Sequence, residues 1–204
     1  MIRVEKEHYH SIARLLTECF LEDQLVVKQI KGIENSEEFL EKLFLSQMAV
    51  LHKTCEMNSL DDSMNSVIVG YEKKKYKPIQ VLLLSILCQF KLSHSMKGSD
   101  LKLYAQNCKE ALKCVNLKWH REFVKGNYYY IKIIAIAKNS RGKGSFRALI
   151  MPIINYCKEK TIPIVLETNT AENVPIYQHF GFELIKTIPE KGTDFCQYCF
   201  IKRP

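Results

Sequence analysis

The chain lacks any glycine-, proline- or serine-rich stretch long enough to act as a linker, and it has no internal repeat and no low-complexity segment. Those absences exclude an extended or largely disordered protein and leave no seam at which two domains would part. An apolar leader is missing too: the opening residues, MIRVEKEHYH, put charge where a signal peptide needs its hydrophobic segment. The one long apolar run, Ile79 to Phe90, is interrupted by Gln and Ser and is too short to span a bilayer. A cytoplasmic address with no membrane partner follows as the expectation.

Cysteine, by contrast, is plentiful. Eight are present, but most sit in apolar or helical contexts at irregular spacing, which predicts reduced, mostly buried thiols rather than a disulfide framework. Cys196 and Cys199 have the spacing of a zinc half-site. On a strand, however, residues three apart point to opposite faces, and no second pair completes the set, so no metal site is expected.

With 204 residues, 47% of them hydrophobic, the chain supports one substantial core and one domain, residues 1–204. A net charge of +8 suits nucleic acid, an anionic membrane or a phosphorylated cofactor equally well. The run Lys73-Lys74-Lys75 has no interleaved aromatic platform and reads as a solvated hairpin end, so no nucleic-acid partner is expected.

Periodicity predicts a short strand at Met1–Val4, a helix carrying Ile12, Leu15, Leu16 and Cys19 on one face, and a second helix starting at Asn35-Ser36-Glu37-Glu38. Val50–Glu56 is expected to turn into a strand, Asn58–Asn65 to form a hairpin loop, and Ser66–Tyr71 to return as a strand. Two helices fit Pro78 to about Glu122. Tyr128–Ala137 is a nearly continuous apolar strand, Phe146–Lys160 a helix, and Ile162–Thr168 a further buried strand. Asn173 reads as an N-cap with Pro175 in the first turn, Gly181 as the stop, and Phe182–Ile188 with Phe195–Lys202 as a closing hairpin. The fold class is therefore α/β with a mixed sheet.

One turn stands out chemically. Ser140-Arg141-Gly142-Lys143-Gly144-Ser145 joins a strand to a helix, so several backbone N–H groups converge unpaired at the positive end of a helix dipole. Gly142 and Gly144 permit a tight path and close ligand approach, while Arg141, Lys143 and Arg147 add positive charge. Such a turn binds phosphate or serves geometry alone. It is neither a P-loop nor a Rossmann glycine pattern.

In context these residues resemble the GNAT superfamily of N-acetyltransferases. Ile134-Ala135-Ile136 followed by Arg141-Gly142-Lys143-Gly144 looks like that family's central strand and Arg/Gln-x-x-Gly-x-Gly/Ala pyrophosphate loop. Tyr177-Gln178-His179-Phe180-Gly181-Phe182 looks like its Tyr-x-x-x-Gly-Phe helix end. Leu166-Glu167-Thr168 and Asn173-Val174-Pro175-Ile176-Tyr177 are similar to segments of the puromycin N-acetyltransferase-like branch. The resemblance covers roughly residues 128–202.

It implies a central, mostly antiparallel twisted sheet of about seven strands, flanked by helices and splayed between two central strands. Residues 1–127 would supply acceptor-side helices and N-terminal strands, and residues 128–204 the acetyl-CoA-binding core. It further implies acetyl-CoA as acyl donor, a primary amine of a small molecule or peptide as acceptor, direct attack in a ternary complex, and a homodimer formed through the C-terminal strands. The cofactor site would comprise Ile134, Ala135, Ile136, Arg141, Gly142, Lys143, Gly144, Ser145, Phe146, Arg147, Thr170 and Asn173. A backbone N–H within Ile134–Ile136, beside a bulge, would polarise the thioester carbonyl.

Two positions depart from the pattern. Phe146 stands where the family loop has its last Gly or Ala, so either its side chain points into the core or phosphate approach changes. Thr170 stands where many members carry a cofactor-contacting Asn; Asn173 takes part of that work or only caps its helix. Tyr177 is the candidate general acid, since a phenol with a pKa of about 10 stays protonated at neutral pH and can donate to a thiolate; the alternative is a core aromatic. Glu167 is the candidate base, or else it pins the following loop. His120 and Glu18 are further candidates for the acceptor cleft. Against the enzyme stand two readings: a non-catalytic acyl-CoA sensor, and a basic nucleic-acid module that leaves both motifs unexplained.

Overall fold

In the computed structural model, which describes residues 1–204, seven strands form one sheet. They are β1 (Ile2–Arg3), β2 (Glu56–Ser59), β3 (Ser66–Glu72), β4 (Tyr129–Ile136), β5 (Ile164–Thr168), β6 (Glu183–Pro189) and β7 (Cys196–Lys202). Their order is β1-β2-β3-β4-β5-β7-β6, and only the β4–β5 pair is parallel. The helices are α1 (Tyr9–Phe20), α2 (Gln24–Ile30), α3 (Ser36–Thr54), α4 (Pro78–Ser95), α5 (Gly98–Ala111), α6 (His120–Phe123), α7 (Ser145–Lys160) and α8 (Asn173–His179).

Both faces of the sheet are covered, which is why β4 and β5 read as nearly unbroken apolar runs. On one face α7 buries Leu149, Ile150, Ile153, Ile154 and Cys157, residues at helical spacing, against Ile68, Tyr129, Ile131 and Leu166; Tyr177 of α8 joins them. On the other face α1 and α3 cover the N-terminal strands through Ile12, Leu15, Leu16, Met48 and Leu51. Beside them Trp119 and Val124, which flank α6, cover Tyr128, Tyr130, Val165 and Cys199.

The path of β4 is set by an irregularity. Val69 lies opposite Ile133 while the next residue, Gly70, lies opposite Ile131, so Lys132 is an extra residue without a partner. A one-residue bulge reverses which face each later side chain takes. Accordingly Tyr129 and Ile131 point towards α7, whereas Ala135 and Ala137 lie under α1 and α3. Gly70 is needed there, because a Cβ would come within 2.5 Å of the Tyr129 ring and 2.8 Å of the Tyr130 carbonyl.

Several local expectations change. Residues 50–54 belong to α3, which runs to Thr54 before β2 begins at Glu56; packing of Val50 and Leu51 outweighs the short β-prone pattern. Asn58 and Ser59 are in β2 rather than in the loop. Helix α2 was not legible as a separate element: it is seven residues long, started by Asp23, whose carboxylate accepts from the Leu25 and Val26 amides. Asn173 is the first residue of α8 and not its cap; its side-chain amide instead donates to Thr168 Oγ1 at 3.1 Å. Lys73–Lys75 forms a single 3-10 turn leading into α4, so adjacent strands β3 and β4 are joined through α4, α5 and α6 and not through a hairpin.

Each of the eight thiols is free. No helix is long and apolar enough to cross a membrane.

Candidate active site

Strands β4 and β5 are paired only at Tyr129–Ile164 and Tyr130–Val165. Beyond these, β5 continues against β7 alone, and β4 against β3 alone, so the two parallel strands open into a fork. The Ala137 amide donates to the Asn65 carbonyl at 2.9 Å, which makes that a hydrogen-bonded antiparallel pair. Such pairs alternate along a ladder, so Ala135 and Ile133 direct their amides to β3, while Ile134 and Ile136 direct theirs into the fork. The Ile136 carbonyl bears this out, accepting from Arg141 Nε at 3.0 Å and from the Cys19 thiol at 3.4 Å on the side away from β3. The bulge lies two residues ahead of Ile134, and the Ala135 amide is engaged elsewhere.

At the open end of the fork lies the glycine turn. Gly142 and Gly144 have φ of +73° and +79°, a region L-residues with a Cβ rarely adopt, and the space a Cβ would fill is empty at both. The first intrahelical bond of α7 runs from the Ala148 amide to the Gly144 carbonyl, leaving the Ser145, Phe146 and Arg147 amides without helical partners. Ser145 Oγ donates to the Ser140 carbonyl at 2.9 Å and fixes the turn. Lys143 is exposed. The Arg141 guanidinium folds back onto the end of β4, and Arg147 lies over the Phe180 ring at 5.2 Å. Of the alternatives for Phe146, the side chain takes the core: its ring packs between Phe180 and Tyr177, with centroids 5.1 and 5.8 Å away.

Tyr177 is reached from α8, which Gly181 ends with φ +78°. Its ring is buried against Phe182 and Phe200, and burial, followed by the negative charge of Glu167, raises the phenol above its ordinary value. It is therefore protonated at any physiological pH. Thr170 donates its amide to Thr168 Oγ1 at 3.2 Å, so Thr168 ties both Thr170 and Asn173 to the end of β5.

Glu167 occupies the crotch of the fork. Its carboxylate accepts from Trp119 Nε1 at 3.0 Å and from the Tyr130 hydroxyl, so it holds Trp119 and the neighbouring strand and not the loop that follows it. Burial raises its pKa, opposed by those two hydrogen bonds and by Lys132. His120 is buried beside Trp119; its Nε2 shares a 3.0 Å hydrogen bond with the Tyr128 hydroxyl and its Nδ1 has no partner. Burial, with Arg121 and Lys73 nearby, depresses it to about 4, so it is neutral at pH 7. Glu18 accepts from the Lys138 amide at 3.2 Å, just before the glycine turn.

Sequence reasoning missed three residues here. Tyr130 and Trp119 meet Glu167 only through tertiary packing, and no local pattern announces it. Asn169, at the end of β5, has a buried Oδ1 without a partner; its place after Leu166-Glu167-Thr168 was the one available signal. No group of three or more His, Cys, Asp or Glu is arranged to hold a metal.

A seven-stranded, mostly antiparallel sheet forked between its one parallel pair, with a glycine turn at the head of the following helix, is the GNAT acetyltransferase fold. Comparison with solved structures agrees. The chain is similar over its whole length to a Corynebacterium glutamicum histone acetyltransferase HPA2 and related acetyltransferase, with TM-score 0.67, 16% identity and 94% of that chain covered. It is similar over 98% of its length to an N-acetyltransferase of Staphylococcus aureus, with TM-score 0.60, 15% identity and 97% of that chain covered. A Drosophila melanogaster polyamine N-acetyltransferase that forms N-acetylagmatine matches 99% of the chain and 98% of its own, with TM-score 0.56 and 12% identity. In sequence, 54 residues are 43% identical to an uncharacterized N-acetyltransferase of Schizosaccharomyces pombe, a match taking in 26% of this chain and 22% of that protein. The match thus spans about a fifth of the length of that curated relative. No family model matches the chain.

Proposed function

We propose that the protein transfers the acetyl group of acetyl-CoA to a primary amine of a small molecule or peptide by direct attack, as one domain of residues 1–204. The observation that carries this reading is the meeting of two features at one fork, free amides at Ile134 and Ile136 and the unpaired amides of the glycine turn; Tyr177, protonated and packed with Phe146 on the α7 side, is the acid assigned to it. The residues fit the cofactor, because the surface over Gly142 and Gly144 is open to close approach and Phe146 is turned into the core.

Acetyl-CoA supplies an activated thioester. Gly142 to Arg147 hold its diphosphate through backbone N–H groups, with Lys143 adding charge. Arg141, bound to the Ile136 carbonyl, fixes the junction of turn and strand and thereby aims the fork amides. The Ile134 amide would be the hydrogen-bond donor to the thioester oxygen, and Tyr177 the proton donor to the thiolate that the amine displaces. Thr170 and Asn173, tied to Thr168, shape the wall opposite β4, and the unpartnered Asn169 Oδ1 is available to a donor in the fork. Glu167 holds Trp119 and Tyr130 at the acceptor end, and its charge favours an ammonium approaching there. That ammonium gives one proton to water to become the attacking amine, and the proton its nitrogen sheds on forming the amide restores the Tyr177 phenol. The likeness to the polyamine acetyltransferase supports an amine acceptor, and the Leu166–Thr168 and Asn173–Tyr177 segments support the puromycin N-acetyltransferase-like branch without naming a substrate.

The test is thiol release from acetyl-CoA against a panel of polyamines, arylalkylamines and peptide N-termini. Amine-dependent release supports transfer; binding without release against the whole panel turns the reading to a sensor.

A further inference from the structure

Helix α4 belongs to the excursion between β3 and β4, and the sheet does not need it. Its inner side packs on α3, where the Cys88 thiol donates to the Ser46 carbonyl at 2.9 Å and Leu92 is buried. Its outer side carries Ile79, Leu82, Leu83, Ile86, Leu87 and Phe90, all more than half exposed, from 54% at Ile86 to 75% at Ile79. Spaced at three and four residues, they form one continuous stripe. No charged residue lies between Lys77 and Lys91. The six side chains expose roughly 700 Å² together, more than a monomer's largest apolar patch usually offers and close to the ~800 Å² each partner brings to a standard interface.

We propose that this stripe is the interface of a homodimer in which α4 packs antiparallel against its own copy about a twofold axis. Ile79, Leu83, Ile86 and Phe90 follow the alternating four-three-four spacing of a coiled-coil seam, with Leu82 and Leu87 beside it. Turned end for end about the midpoint between Leu84 and Ser85, the stripe falls on itself. Ile79 meets Phe90 of the partner subunit, Leu82 meets Leu87 of the partner subunit, and Leu83 meets Ile86 of the partner subunit. The same rotation sets Gln80 against Gln89 of the partner subunit, two amides that can each donate and accept. A twofold interface demands such self-complementarity. A membrane surface does not; the helix has lysines at its two ends, Lys77 and Lys91, but glutamines, Gln80 and Gln89, on the two sides of the stripe itself, where a lipid-facing helix favours Lys or Arg. The edge strand β6 has only partly buried or exposed positions, among them the charged Glu183 and Lys186, and offers no comparable apolar surface.

Analytical ultracentrifugation of the full chain tests this. The protein is expected to sediment as a dimer at micromolar concentration, and Leu83→Glu as a monomer, with association weakened by roughly 100-fold or more from placing a carboxylate in the seam. Because Leu83 is exposed in the single chain, that variant stays folded by circular dichroism and keeps its acetyl-CoA binding, while its thermal transition loses the dependence on protein concentration that the dimer gives the wild type. Leu83→Glu combined with Ile86→Lys is expected to regain the dimer, since the antiparallel register sets each new carboxylate against a new ammonium. A monomeric wild-type protein, a Leu83→Glu variant that remains dimeric, or a double variant that stays monomeric overturns the proposal. Leu83-dependent binding of a monomeric wild-type protein to phosphatidylcholine–phosphatidylserine vesicles would also overturn it and assign the stripe to a lipid surface.

Discussion

The two walls of the β4–β5 fork are built on different principles. On the α7 side the working groups are backbone amides, placed by one strand, by glycines of positive φ and by the start of one helix, all in the segment from Ile134 to Arg147. On the α6 side they are side chains from distant segments: Trp119, Tyr130 and Glu167 are joined by two hydrogen bonds across a buried carboxylate. The first wall is a local device and tolerates changes in what surrounds it. The second is a tertiary network in which each member depends on the others, since a buried polar group left unpaired costs more than a made hydrogen bond returns.

The sharpest way to break this contrast is at Tyr177, which packs on the α7 side with Phe146. Tyr177→Phe keeps the packing and removes only the proton donor, so turnover in the thiol-release assay should fall by about 100-fold or more while the KM for acetyl-CoA moves little. An unchanged rate would reduce Tyr177 to a core aromatic. Next comes Glu167→Gln, which sets an amide donor against one of the two donors at the carboxylate. Urea unfolding at neutral pH should show a loss of about 1–3 kcal/mol, with acetyl-CoA affinity nearly unchanged. Equal stability would mean the network is incidental.

On the local wall, Gly144→Val forces a β-branched residue into the left-handed region, and calorimetry should show the acetyl-CoA Kd rising by roughly tenfold. Smaller effects follow on the tertiary wall with pH. His120 has a folded-state pKa of about 4, below its ordinary 6.5, so the unfolded chain takes up the proton first. Stability should therefore fall as pH drops from 6.5 towards 4, by about 1–2 kcal/mol after allowance for screening, and His120→Gln should flatten that slope. Glu167 runs the other way: with its pKa raised above 4.5, its stabilising share is greatest below that value and is lost as pH rises through the folded one. The smallest effect is predicted for Phe146→Ala, whose ring packs on Phe180 and Tyr177 and not over the turn. The acetyl-CoA Kd should change by less than about threefold.

The same contrast explains what the sequence disclosed. The strand, glycine turn and helix from Tyr129 to Lys160, and the Tyr177–Gly181 helix end, are legible because a few adjacent residues dictate the backbone there. The mixed sheet follows from the alternation of strands and helices. Lys132 is not legible as a bulge, because it answers to Gly70, far away in sequence, which alone admits the Tyr129 ring. The network of Trp119, Tyr130 and Glu167 is equally silent, and so is the exposure of the α4 stripe: an apolar helical face reads the same whether it is covered or bare. Val50–Thr54 misled because Val50, Leu51 and Thr54 suit the end of a helix and the start of a strand alike.

The most direct test of the central claim is an amide NMR titration with coenzyme A. The largest shifts are expected on Ile134, Ile136 and Gly142 to Arg147, with Ala135 moving less because its amide is held by β3. Saturable binding that leaves these amides unmoved, or no binding at all, would contradict it.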